Sequence, residues 1–140
     1  MLDVTTEWGQ HAEQRLRSNI IAWLTTVGSD GRPYTVPVWF LWDETTSTIL
    51  IYSRADAKRL LHLQQNPRVA LNFDGNGTGG NIIVITGDAH VSTDDPPADR
   101  LPIYVEKYRD FIARGFGTPE KFASIYSVPL RIRPVAIRGH

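Results

Sequence analysis

The stretch "NIIAWLTTVGSDGRPYTVPVWFLW" (19–42) decides the fold, because two strand-like runs flank a tight turn. The turn contains the Asp-Gly pair and the proline that are typical of a β-hairpin. In the second run, every other residue from Tyr34 to Trp42 is apolar and falls on one face. Pro37 cannot donate a hydrogen bond to a neighbouring strand, so we expect this strand to lie at a sheet edge or to contain a bulge.

The rest of the chain continues this alternation. Further strands are predicted at 48–52, 68–74, 82–92 and 129–139. Helices are predicted from Thr6 to Ser18, from the end of the third strand to Asn66, and in two pieces over 98–126. Six strands with few peripheral helices predict a mainly β protein, a six-stranded antiparallel barrel forming a single domain over 1–140.

The composition excludes several classes of protein. The chain has 15 basic and 15 acidic residues and no cysteine. A general nucleic-acid binder needs an excess of cations, and a disulfide scaffold or cysteine-based zinc site needs thiols. No apolar run approaches the roughly 20 residues of a membrane span, and no signal peptide is predicted. We therefore expect a cytoplasmic protein, and no histidine or carboxylate spacing predicts a metal site.

The segment "YSRADAKRLLHLQQNP" (52–67) places cations where a helix begins. On a helical wheel Arg54 and Lys58 share one face, and free N–H groups at a helix start suit a phosphate. The same wheel turns Ala57, Leu60 and Leu61 toward the barrel and Arg59 toward solvent. The alternative is that Arg54 and Lys58 are solvated surface residues, with Asp56 as a partner.

The order of these segments resembles a known family. The pattern strand, "G.DG.P...P.WF", strand, "Y.....K...L..NP.V.L" over residues 10–92 is similar to the pyridoxamine 5′-phosphate oxidase-like split barrels that bind FMN or the deazaflavin F420. The ending "RIRPVAIRGH" looks most like actinobacterial F420-dependent enzymes. The resemblance implies a homodimeric split barrel whose cofactor lies in a groove between the subunits.

The resemblance also implies positions for the cofactor. Its phosphate would meet Ser53, Arg54 and Lys58, which follow the third strand. Its ring would lie against residues of the first two strands, namely Thr25, Thr26, Val27, Pro37, Val38 and Trp39. Val38 can equally be a core residue, and Trp39, on the opposite face, needs a dimer interface or a cofactor to cover it.

The implied function is an F420-dependent oxidoreductase that transfers hydride from reduced deazaflavin to an electron-poor small molecule. The alternatives are an FMN-dependent oxidase or reductase, a non-catalytic flavin or deazaflavin carrier, and a dimeric barrel without a cofactor. No catalytic residue is assigned, because the cofactor would perform the chemistry. Three tyrosines on the late helices can either close over a substrate or pack the helices; they are Tyr104, Tyr108 and Tyr126.

Overall fold

Residues 2–140, which the computed structural model describes, form seven strands and four α-helices. The strands are β1 (Ile21–Val27), β2 (Pro33–Trp39), β3 (Leu41–Asp43), β4 (Thr48–Ser53), β5 (Arg68–Phe73), β6 (Ile83–Val91) and β7 (Val128–Gly139). The helices are α1 (Glu7–Ser18), α2 (Lys58–Gln65), α3 (Pro102–Gly115) and α4 (Pro119–Ile125). In this described part, no helix is both long and apolar enough to cross a membrane.

All seven strands belong to one antiparallel sheet in the order β2-β1-β5-β6-β7-β4-β3. The sheet curls, so the mainly β split-barrel architecture is confirmed, although the prediction of six strands is wrong. Strand β2 lies at one edge, which confirms the edge position expected from Pro37.

The seventh strand arises because the predicted strand 34–42 breaks at Phe40. Residues before the break pair with β1, whereas residues after it pair with β4 near the other edge of the sheet. The backbone groups freed at Phe40 find side-chain partners, as buried polar groups must. The Phe40 N–H donates to the Tyr108 hydroxyl at 2.8 Å, and Lys107 Nζ donates to the Phe40 carbonyl at 2.8 Å. One continuous segment therefore contributes a strand to each edge of the sheet.

The barrel interior contains the larger of two hydrophobic clusters. Alternate side chains of the strands point inward, and helix α1 closes one end with Ala12 and Leu16, both fully buried. The strand residues of this interior include Leu24, Val38, Phe40, Ile49, Leu71 and Ile85. Val38 is thus a core residue, although it also borders the cavity described below.

The second cluster lies on the outer face of the sheet. Leu50 and Tyr52 of β4 pack there against helices α3 and α4. Tyr104 and Tyr108 are completely buried in this cluster, so they serve helix packing, one of the two uses expected for them. Helices α3 and α4 therefore cover only the part of the outer face around β4 and the end of β2.

Helix α2 begins four residues later than the sequence suggests. Arg54 to Ala57 form a turn, and the helix starts at Lys58. Ala57 occupies the N-cap position without a side-chain hydrogen bond, and alanine is among the poorest residues there. The predicted start, directly after the third strand, is therefore too early. Leu61 is consequently not a barrel residue, and its side chain is 64% exposed.

Candidate functional site

The most distinctive hollow lies between the outer sheet face and helices α3 and α4. This aromatic cavity has a volume of 230 Å³. Two guanidinium groups and six aromatic side chains dominate its wall, which consists of Pro37, Val38, Trp39, Tyr52, Arg54, Arg59, Tyr104, Phe116, Phe122 and Tyr126. A binding site with charged and aromatic walls on one chain suits a ligand that combines a flat ring with an anionic group.

Two arginines form the charged part of the aromatic cavity, and a buried serine behind them contacts one of the two. Arg59 Nη1 donates to Ser53 Oγ at 2.9 Å, and the Ser53 side chain is fully buried. Arg54 Nε donates to Asp56 at 3.2 Å, and its side chain remains 53% exposed. Arg59 is half-buried, and among residues 2–140 no carboxylate pairs with it. Burial consequently lowers the pKa of the Arg59 guanidinium.

The position of Arg59 corrects the sequence interpretation. The helical wheel places Arg59 in solvent and Lys58 beside Arg54, because it assumes a helix that already includes Arg54. With α2 starting at Lys58, Arg59 faces the aromatic cavity with Arg54, and both predicted directions are wrong. The first turn of α2 still contains two cations and no acid, so it still lacks a negative partner.

Lys58 lies on a different surface. Its exposed side chain borders a groove with Tyr34, Leu61 and His62, not the aromatic cavity. The Tyr34 and His62 rings are 4.6 Å apart in this Lys58 groove. Arg54 and Lys58 therefore do not form the joint cation site that the sequence predicts.

The aromatic cavity already provides a cover for Trp39. The Trp39 ring stacks on Tyr108 with a centroid distance of 4.6 Å and an interplanar angle of 6°. It also stacks on Phe122 at 5.2 Å. Neither a subunit interface nor a cofactor is needed to bury the indole, contrary to the expectation from the sequence.

The first strand contributes to two other places. Thr25 and Val27 point outward, where they line a 580 Å³ groove with residues of β5, β6 and β7. Thr26 points inward, is 2% exposed and has its hydroxyl 2.9 Å from His62 Nδ1. The predicted ring residues are thus divided, with Pro37, Val38 and Trp39 at the aromatic cavity and Thr25 and Val27 at this open groove.

The open groove runs across the part of the outer face that no helix covers. Thr25 pairs with Ala70, and Ala70 pairs with Thr86, so side chains of three neighbouring strands form its floor. Val135 on β7 is 57% exposed at its border. Arg68 and Asp88 supply one charge of each sign.

Sequence reasoning missed Arg59, Phe116 and Phe122 as site residues, and it named Tyr126 as one of three tyrosines that can close over a substrate. Phe116, Phe122 and Tyr126 lie far beyond the predicted cofactor segment in the sequence, and only the folded chain brings them to Arg54. The available signal was the density of aromatic residues between 104 and 126, which the sequence supports equally well as helix packing.

Comparison with known proteins identifies the family. The sequence model of pyridoxamine 5′-phosphate oxidase matches residues 9–139. No curated protein sequence matches this chain.

Several solved structures have the same fold. A Listeria innocua protein named for pyridoxamine 5′-phosphate oxidase is 23% identical with a TM-score of 0.69, and the match covers 94% of this chain and 97% of that one. An F420 reductase is 21% identical with a TM-score of 0.68, covering 90% and 94%. General Stress Protein 26 from Bacillus anthracis is 17% identical with a TM-score of 0.69, covering 94% and 92%. At these identities the likeness establishes the fold alone.

Proposed function

From the premise that this chain belongs to the pyridoxamine 5′-phosphate oxidase family, we propose that it is an F420-dependent oxidoreductase, with FMN as the alternative cofactor. The family binds flavin or deazaflavin cofactors, which supports the class of reaction. The similarity in fold to an F420 reductase and the sequence ending favour the deazaflavin. The cytoplasm remains the expected compartment.

The observation that carries the proposal is the half-buried Arg59 guanidinium, which no carboxylate of residues 2–140 neutralises. A desolvated cation without a partner is unfavourable, and a bound anion would restore the balance. Arg54 lines the same aromatic cavity, and Ser53 orients Arg59 through its hydrogen bond. These residues fit the phosphate that F420 and FMN share. We assign the phosphate to Arg54 and Arg59, with Ser53 positioning Arg59 from behind, and Lys58 is no longer required.

The rest of the cofactor needs more room than the aromatic cavity offers. Sites for drug-sized ligands occupy about 300–1,000 Å³. The aromatic cavity has 230 Å³. We therefore place the ring along the outer faces of β1 and β2, where Thr25, Val27 and Pro37 point away from the barrel. When bound there, the reduced deazaflavin supplies a hydride from C5 to an electron-poor carbon of the acceptor. The aromatic wall next to it excludes water.

A second copy of the chain would complete this ring site. The open groove exposes apolar side chains on a face without helices, and it offers both Arg68 and Asp88. In a dimer with twofold symmetry, the same face of each copy forms the interface. Charges of both signs on that face can therefore form ion pairs between the two copies. We propose a homodimer with the open groove at the subunit interface.

The test is an equilibrium titration of the protein with F420 and with FMN. A hydrogen bond between a charged group and its partner contributes roughly 1.5–3 kcal/mol, so Arg59→Gln should weaken cofactor binding roughly 10- to 150-fold. Arg109→Gln is the matched control, because Arg109 is exposed on α3 and pairs only with Glu106. Lys58→Ala should bind like the wild type.

The outcomes separate the parts of the proposal. Wild-type protein that binds neither cofactor would end the assignment to this class of oxidoreductase. Equal affinity of Arg59→Gln and Arg109→Gln would refute the phosphate site, and a large loss in Lys58→Ala would return it to the Lys58 groove. Tighter binding of FMN than F420 would select the alternative cofactor, and binding without turnover on a panel of acceptors would indicate a carrier.

A further inference from the structure

The proposed phosphate site, formed by Arg54 and Arg59, also contains an acid. Arg54 Nε donates to Asp56 Oδ1 at 3.2 Å, and the Asp56 side chain is 76% exposed. Among residues 2–140, Asp56 is the one carboxylate within salt-bridge distance of either arginine. Lys58 borders a different groove, so its amine is not part of this wall. Two positive charges and one negative charge therefore leave the site with one positive charge in excess.

The two candidate cofactors differ in the charge of their phosphate. FMN ends in a phosphate monoester, a group whose second pKa is near 6 and whose charge at pH 7 is about −1.5 to −2. F420 continues beyond its phosphate, which is a diester with one ionisable oxygen and a single negative charge. A diester would thus neutralise the excess charge of the site, whereas a monoester would place a further negative charge beside Asp56.

The shape of the site agrees with its charge. Arg59 is half-buried and donates to the buried Ser53, whereas the Arg54 side chain is 53% exposed. A phosphate that contacts both arginines would therefore be enclosed on the side of Arg59 and open to solvent on the side of Arg54. A monoester needs no such opening, but the second substituent of a diester can leave the cavity through it.

We propose that Asp56 determines the specificity of the phosphate site, because its carboxylate disfavours the doubly charged monoester of FMN relative to the singly charged diester of F420. The inference rests on the proposed function, since it concerns the phosphate of the same cofactor. The hydrogen bond from Arg54 holds the Asp56 carboxylate at the open side of the site. Rejecting a ligand by an unfavourable charge is a common source of specificity.

The experiment compares FMN with its methyl phosphate ester, in which the same flavin ring carries a phosphate diester. Quenching of flavin fluorescence at pH 7.5 and low ionic strength measures the affinity of both ligands. Two unit charges about 4 Å apart in water repel by about 1 kcal/mol, a factor of about five in affinity. Asp56→Asn should therefore strengthen FMN binding roughly two- to fivefold more than binding of the methyl ester. At about 1 M salt the difference should disappear, because the charges are screened.

Glu106→Gln is the matched control. Glu106 is 72% exposed and pairs with an exposed arginine, as Asp56 does, but it is not part of the wall of the aromatic cavity. The control changes the net charge of the protein by the same amount as Asp56→Asn. It should leave the ratio of the two affinities as it is in the wild type.

The outcomes test the inference separately from the proposed function. An equal change for both ligands in Asp56→Asn, the same ratio in Asp56→Asn and Glu106→Gln, or a difference that persists at high salt would each overturn the assignment. Loss of both ligands in Asp56→Asn would also overturn it, because Asp56 would then hold Arg54 in place rather than repel charge. If the wild type binds neither flavin at millimolar concentration, the inference fails, and binding of F420 in that case leaves the proposed function intact.

Discussion

The two halves of the outer sheet face differ in what covers them. Around β4 and the end of β2, helices α3 and α4 bury an aromatic cluster and enclose the aromatic cavity. Across β1, β5 and β6 the same face has no helix over it and forms the open groove. Strand β2 contributes Pro37, Val38 and Trp39 to the covered half.

The comparison shows that the chain covers one half by itself and leaves the other half available. In the covered half, most polar groups have intramolecular partners, and the half-buried Arg59, with which no carboxylate of residues 2–140 pairs, suits a small anion. In the open half, the side chains of Thr25, Thr86 and Val135 suit contact with a larger surface rather than with a single chemical group of a ligand. Three predictions test whether the halves depend on such different contacts.

The largest expected effect comes from removing a ring from the covered half. Phe122 is 2% exposed and stacks on both Trp39 and Tyr126, at 5.2 and 4.9 Å. Phe122→Ala should lower the free energy of unfolding by about 3–5 kcal/mol, since it removes a buried aromatic side chain and leaves a cavity. Urea denaturation followed by circular dichroism measures the loss.

The open half supplies the contrast. Val135 is largely exposed. Val135→Asp should therefore change the stability of the single chain by less than about 0.5 kcal/mol. Size-exclusion chromatography with light scattering should show that the same variant is monomeric, because a charge at the proposed subunit interface loses its water on dimerisation. If Val135→Asp unfolds the chain as readily as Phe122→Ala, the open half is not a free surface.

The second prediction concerns the loop that leads to α3. Arg131 on the outer face donates to Asp95 at 2.5 Å and to Asp43 at 2.8 Å, and all three side chains are mostly buried. Burial alone would raise the pKa of Asp43, but hydrogen bonds from Thr45, Arg131 and Thr46 outweigh it and lower the pKa to about 2. Hydrogen bonds from Arg131 also lower the pKa of Asp95, against its burial.

These carboxylates make the covered half sensitive to acid. A folded-state pKa below the unfolded value means that the stabilisation is complete above about pH 4 and is lost as the pH falls toward 2. For Asp43 the pKa falls from 3.8 to about 2. This shift corresponds to at most about 2.5 kcal/mol. Asp43→Asn should reduce the stability at pH 7 and flatten its decline between pH 4 and pH 2 in urea titrations.

The exposed pair on the neighbouring strands is the control. Arg133 and Asp88 are 3.0 Å apart, but the Arg133 side chain is 68% exposed. Water therefore screens the pair. Arg133→Met should leave the acid response of the protein as it is in the wild type. If Asp43→Asn and Arg133→Met changed the acid dependence of stability equally, the ion-pair network under the loop would not differ in its effect from the surface pair.

Local sequence patterns predicted most of the fold but only part of the site. Alternation identified the strands, because one face of each strand packs inside the barrel and the other does not. Alternation could not show that the predicted strand breaks at Phe40 and pairs at two different edges of the sheet. That break depends on Tyr108 and Lys107 from a distant helix. The family resemblance predicted a phosphate role for Ser53 and Arg54 at the end of β4, and that role stays a prediction. Arg59 was missed because the helix start depends on a Ser53 hydroxyl used elsewhere.

The smallest expected effect compares two buried hydroxyl groups of the covered half. Tyr108→Phe removes the acceptor of the Phe40 N–H and leaves that donor buried and unpaired. The loss should cost on the order of 1 kcal/mol of stability. The cost stays small because Lys107 still donates to the Phe40 carbonyl. Burial lowers the pKa of Lys107 to about 8, so the measurement belongs near pH 6.5, where the amine is charged.

Tyr104→Phe is the matched variant, one helical turn away in the same cluster and equally buried. It removes a hydroxyl without a partner, so its free energy of unfolding should equal or exceed that of the wild type. Losses of the same size in the two variants would mean that the Tyr104 hydroxyl finds a partner within the protein in solution. All buried hydroxyl groups of the pair would then be structural, and Arg59 would be the feature that distinguishes the covered half from a packed core.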